Sequence, residues 1–81
     1  MAILYLLRHA HAGDPERWAG DDDLRPLSDK GRRQADRLGG VLAGWAEAPD
    51  LFVTSPRIRA RETAQLVAEA IGAAVEVDDR L

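Results

Sequence analysis

Along the 81 residues, the spacing of apolar positions switches between short continuous runs and a three-to-four-residue period. Ala2-Ile3-Leu4-Tyr5-Leu6-Leu7 is an unbroken apolar run that stops at Arg8-His9-Ala10-His11-Ala12-Gly13. A short run closed by polar residues and a glycine predicts a buried strand leading into a loop. Asp14 to Arg25 is polar, with Asp14, Glu16, Asp21, Asp22 and Asp23, and is punctuated by Pro15, Gly20 and Pro26. It predicts a solvated surface loop, with Trp18 as a packing anchor. Because it directly follows Arg8-His9, it is also a candidate border of a site.

Ser28 is a good N-cap, and Asp29 suits the positive end of the helix that follows. That helix is predicted to run to about Ala46. Ala35, Leu38, Leu42 and Trp45 form its apolar stripe, while Arg32, Arg33, Asp36 and Arg37 take much of the remaining face. Gly39-Gly40 weakens it by roughly 1 kcal/mol per glycine, which close packing of helix against sheet would explain. Pro49 ends the element. Leu51-Phe52-Val53-Thr54 predicts a second buried strand. Ser55 as N-cap and Pro56 at the first helical position predict a helix to about Ile71. Its core face is Ala60, Ala64, Val67 and Ile71, and Gly72 closes it. Ala74-Val75-Glu76-Val77 predicts a third strand. The order β-α-β-α-β implies an α/β fold with right-handed crossovers and a parallel sheet flanked by helices.

Composition narrows the possibilities. A hydrophobic fraction of 46% with 31% charged residues is globular. A net charge of −3 gives no reason to expect nucleic-acid binding. The absence of cysteine removes disulfides and thiolate chemistry. No apolar run approaches the roughly 18–20 residues of a membrane span. The N-terminus lacks the basic region and the apolar length of a signal peptide. A cytoplasmic protein with no membrane partner is expected.

The candidate chemistry lies at two strand ends. In a parallel sheet, Arg8-His9 and Thr54-Ser55 would emerge on one edge, where ligands of open α/β sheets bind. The N-terminus of the second helix would point there too. Of Arg57, Arg59 and Arg61, helical spacing puts Arg59 on the flank shared with Ser55 and Thr63 and leaves the other two toward solvent. Two guanidiniums offering paired N–H···O bonds suit a phosphoryl group. A neutral His9 between them is a candidate nucleophile, with Nε2 free if a backbone carbonyl accepts from Nδ1–H. His11 is read as a polar rim residue of the substrate site. The weaker alternative is a metal held by His9, His11 and an aspartate of residues 21–23.

Leu6-Leu7-Arg8-His9-Ala10 resembles the Arg-His-Gly signature of the histidine phosphatase superfamily, branch 1 (phosphoglycerate mutase-like). Leu27-Ser28-Asp29-Lys30-Gly31-Arg32-Arg33-Gln34-Ala35 resembles its Leu-Ser/Thr-x-x-Gly-x-x-Gln-Ala segment. Ser55-Pro56-Arg57-Ile58-Arg59-Ala60-Arg61-Glu62-Thr63 resembles its Ser-x-x-x-Arg-Ala-x-x-Thr segment. Ala10 stands where the signature usually has glycine. Arg25-Pro26-Leu27-Ser28 and Ser55-Pro56 look most like the SixA-type phosphohistidine phosphatases. The resemblance implies His9 as the phosphorylated nucleophile, Arg8 and Arg59 as phosphate-pocket arginines, and no cofactor or metal. It implies a phosphohistidine on a signalling protein, or a small phosphoester, as substrate.

The family's second histidine and acidic proton donor have no counterpart in residues 1–81, so these residues are expected to be the N-terminal part of a single domain. Alone they should be weakly active or inactive, and prone to self-association through an incomplete sheet. A phosphomutase of the same fold and a non-catalytic phosphate-binding or interaction module are the alternatives.

Overall fold

Ser28 starts the first helix as its sequence context predicts: its backbone is extended and its Oγ accepts the Gly31 N–H at 3.0 Å. The computed structural model describes residues 9–45 and 49–81. The predicted strand Ala2–Leu7 and Arg8 lie outside the described residues. Two 3-10 turns, Pro15–Arg17 and Asp22–Leu24, precede helix α1, Asp29–Ala43. Strand β1 (Leu51–Thr54), helix α2 (Ile58–Ile71) and strand β2 (Ala74–Val77) follow. The strands pair in parallel, Leu51 with Ala74 through Thr54 with Val77, and α2 makes the crossover.

Helix α1 ends earlier than the predicted Ala46. Gly44 N–H and Trp45 N–H reach back three residues, to Val41 O at 3.2 Å and Leu42 O at 3.0 Å. That tightens the last turn toward 3-10 geometry and takes Trp45 off the stripe, where it is 47% exposed. The start of α2 differs as well. Its N-cap is Arg57, extended at φ −61° and ψ 136°, with no side-chain cap bond. Ser55 is not the cap, and Pro56 precedes the helix. The pyrrolidine ring disfavours helical geometry at the residue before it, and here the chain stays non-helical through Arg57. Gly72 closes the helix in the left-handed region at φ 70°.

Ala35, Leu42 and Val67 form the buried core, with Ala10, Leu38, Phe52, Leu66 and Ile71 packed on it. Gly39 serves helix–helix packing, where helix–sheet packing was expected. A Cβ there would lie 2.6 Å from Ala70 Cβ on α2, whereas one at Gly40 would meet nothing within 4 Å. Helix α2 covers one face of the sheet, burying Thr54 and half-burying Phe52. The expectation of a fully buried β1 fails on the other face, where Leu51 and Val53 are 47% and 50% exposed. Alternation along a strand puts these two residues on the same side. On α2, burial follows Arg59, Thr63, Ala64, Val67 and Ala68. Ala60 and Ile71, expected on the core face, are only half-buried. Two of the buried positions, Arg59 and Thr63, are polar.

Candidate active site

The segment 9–13 is held between both helices. Thr63, buried on α2, accepts the Ala10 N–H at 3.0 Å through Oγ1 and donates its own proton to Arg59 O at 2.7 Å. The β-branched side chain leaves few rotamers, so this bond fixes Ala10 one turn above Arg59. On α1, Gln34 Oε1 accepts the His11 N–H at 3.0 Å. His11 O accepts from Ser28 N–H at 3.0 Å and from Ser28 Oγ at 2.9 Å. Gly31 permits this approach, since a Cβ there would sit 1.9 Å from the same carbonyl oxygen.

His9 is exposed, and its Nδ1 lies 2.8 Å from Ala10 O. A carbonyl can only accept, so in the neutral ring Nδ1 carries the proton and Nε2 keeps its lone pair. That is the arrangement a nucleophilic imidazole needs.

Arg59 is only 5% exposed. Its Nη1 donates to Asp22 O at 2.8 Å and its Nη2 to Asp22 Oδ2 at 3.1 Å. Arg59 Nε is buried and has no partner among the described residues. Arg57 and Arg61 are exposed, as helical spacing predicts, and Arg57 pairs with Asp23 at 3.2 Å.

Although residues 13–24 are exposed, as the solvated reading of the loop predicts, Asp22 ties them to α2. It holds Arg59 and also accepts from Arg25 Nε at 3.0 Å. Arg25 is itself buried and donates through Nη1 to Ala12 O at 2.8 Å and Gly13 O at 3.3 Å. The Arg25 hydrogen bond, with the charges of Arg59 and Arg25, holds the Asp22 carboxyl below the usual carboxylate range; partial desolvation opposes this. Trp18 ties the loop by donating to Asp21 O at 2.8 Å, and is not buried in packing.

Glu62 joins the helices. It accepts the Leu27 N–H at 3.0 Å and pairs with Arg32. His11 is exposed, with Nδ1 2.6 Å from Ser28 Oγ. Ser55 is half-buried at the carboxyl end of β1, and its carbonyl accepts from Thr54 Oγ1 at 3.1 Å. No group of three or more histidine, aspartate or glutamate side chains that could hold a metal is present among the described residues. Asp78, just beyond β2, is held below the usual carboxylate range by its hydrogen bonds with Arg80.

Sequence reasoning weighed Asp22 only as a border or metal residue and passed over the contacts of Arg25, Gln34 and Glu62. The available signals were an Asp three residues before an Arg, and an acid three residues after Arg59 on one helix.

Residues 4–81 match the histidine phosphatase superfamily (branch 1). Two solved structures, both designated phosphohistidine phosphatase SixA, share the fold. The one from Nakamurella multipartitia is 38% identical with a TM-score of 0.77, over 94% of this chain and 41% of its own. The one from Agrobacterium tumefaciens is 28% identical with a TM-score of 0.78, over 90% of this chain and 47% of its own. The 8-oxo-(d)GTP phosphatase of Mycolicibacterium smegmatis is 35% identical over 66 residues, which is 82% of this chain and 20% of that protein. The chain therefore spans less than half of each of these relatives. No helix among the described residues is long and apolar enough to cross a membrane. With the match running through nearly all of its length and the same parallel α/β frame beneath it, the chain belongs to branch 1 of the histidine phosphatase superfamily.

Proposed function

We propose that this chain supplies the nucleophile-bearing part of a phosphohydrolase that works through a phosphohistidine on His9. The observation that carries the reading is the 2.8 Å contact of His9 Nδ1 with Ala10 O. It leaves Nε2 as the attacking atom on a segment anchored to the helix that bears Arg59.

A phosphoryl group binds Arg59 and Arg8, and Ser55 and His11 border it. Charge-assisted bonds of this kind contribute roughly 1.5–3 kcal/mol each. Nε2 attacks phosphorus in line and forms the N–P bond as the bond to the leaving group breaks. A donor outside residues 1–81 protonates the leaving group. Water then attacks the phosphohistidine, releasing inorganic phosphate and restoring Nε2. The chemistry requires no metal. The substrate is a phosphohistidine on a protein or a small phosphomonoester. The SixA designation of the two structural relatives supports the first, and the nucleotide phosphatase supports the second. Residues 1–81 are the N-terminal part of one domain in this reading, in keeping with the fraction of each relative they span.

The test is trapping of the intermediate. The intact protein, quenched during turnover of a labelled phosphohistidine substrate, should carry acid-labile, base-stable label that is absent from His9→Gln. Arg59→Ala should lower kcat/KM by about 100-fold or more, the scale for loss of one donor to transition-state charge. Vanadate should inhibit and a chelator should not. Full activity in His9→Gln would sink the reading.

A further inference from the structure

Five N–H bonds radiate from a guanidinium, and Asp22 uses only one edge of Arg59. Nη1 goes to the Asp22 carbonyl and Nη2 to its carboxylate, which together occupy the end of the fork. The side edge, Nε–H with the second Nη2 proton, is left. Nε is buried and unpartnered among the described residues. A buried, unpaired donor on a permanently charged group is costly unless something accepts from it.

We propose that Asp22 is a positioning residue for Arg59, and that Arg59 receives a phosphoryl oxygen on its Nε side edge. The proposal rests on the phosphate-site reading above. A rival arrangement has Asp22 compete with phosphate for the same guanidinium edge, as an internal inhibitor.

Two features favour positioning. The Asp22 carboxylate is shared between Arg59 and Arg25, so two cations offset its charge and it repels an incoming anion less than a free carboxylate would. Arg25 continues the chain of contacts to Ala12 O and Gly13 O. Those carbonyls belong to the segment that carries His9. Arg59 and the nucleophile are thus registered to each other by Asp22 and Arg25 on one side, and by Thr63 on the other.

The experiment uses the intact protein with inorganic phosphate as probe. In the wild type, the Arg59 Nε–H resonance should shift saturably as phosphate is added. Asp22→Ala should weaken phosphate binding at least tenfold and raise KM for p-nitrophenyl phosphate by a similar factor. Asp22→Asn keeps an acceptor oxygen and should stay within threefold. An unmoved Nε–H resonance at saturating phosphate overturns the proposal, and this readout does not depend on any variant folding. Unchanged or tighter phosphate binding in a folded Asp22→Ala overturns it as well, and tighter binding would establish the competing arrangement. Wild-type-like phosphate binding in Arg59→Ala would instead defeat the underlying site reading. If Arg59→Ala abolishes binding while Asp22→Ala leaves it intact, only the positioning role fails.

Discussion

Gly31→Ala tests how the segment 9–13 is docked between the helices. The added Cβ would lie 1.9 Å from His11 O, against about 3.3 Å for a tolerable carbon–oxygen contact. The neighbour is backbone held by two hydrogen bonds, from Ser28 N at 3.0 Å and Ser28 Oγ at 2.9 Å. It cannot rotate away as a side-chain tip could. Moving it by more than an ångström forfeits both bonds, roughly 0.5–1.5 kcal/mol each. Residual crowding adds about 1–3 kcal/mol. The better helix propensity of alanine returns about 1 kcal/mol. The expected net destabilisation is about 3 kcal/mol, a large part of the stability of an ordinary domain. Gly40→Ala is the control in the same helix. It meets nothing within 4 Å and should stabilise by about 0.5–1 kcal/mol. Urea unfolding of the intact protein, with unchanged m values, reads both. Equal midpoints for the two variants would refute the docking argument.

Gly39→Ala should lower stability by roughly 1–3 kcal/mol, because its Cβ would press on Ala70 Cβ at 2.6 Å; a neutral result would mean α1 can slide away freely. The Asp22 pKa is lowered in the folded state by Arg25 and Arg59. Its contribution is therefore present above the unfolded value of about 3.9 and is lost as pH falls through the lower folded value. Between neutrality and pH 3, the urea midpoint of wild type should fall more steeply than that of Asp22→Asn, and parallel curves would contradict the linkage. Residues 1–81 expressed alone should show little phosphatase activity and should self-associate in sedimentation, through the sheet face bearing Leu51 and Val53. A monomer with full activity would show that the pocket is complete within these residues.

Where local chemistry decides an element, the sequence was readable. Ser28 caps α1, Gly72 ends α2, and residues 51–54 and 74–77 are strands. Each depends on a backbone preference of residues a few positions apart. The inward turn of Arg59 was equally legible, because helical spacing to Thr63 sets it. Local rules misled where two of them competed. Ser55 and Pro56 carry good N-terminal chemistry, yet the helix waits until Ile58. Trp45 fits the stripe but leaves it when the last turn tightens.

Sequence by itself determined the family, the order of helices and strands from Asp29 to Val77, and which arginine of α2 turns inward. Tertiary structure decided what that arginine touches. Asp22 lies 37 positions from Arg59 and reads, in its acidic run, like any solvated carboxylate. Only folding brings its two oxygens between Arg59 and Arg25 and lets Thr63 reach Ala10 across 53 positions. Periodicity registers neighbours within one element, while hydrogen-bond partners between elements depend on how those elements pack. The role of Gly31 is of the same kind. Its missing Cβ matters because the carbonyl of His11 occupies that space.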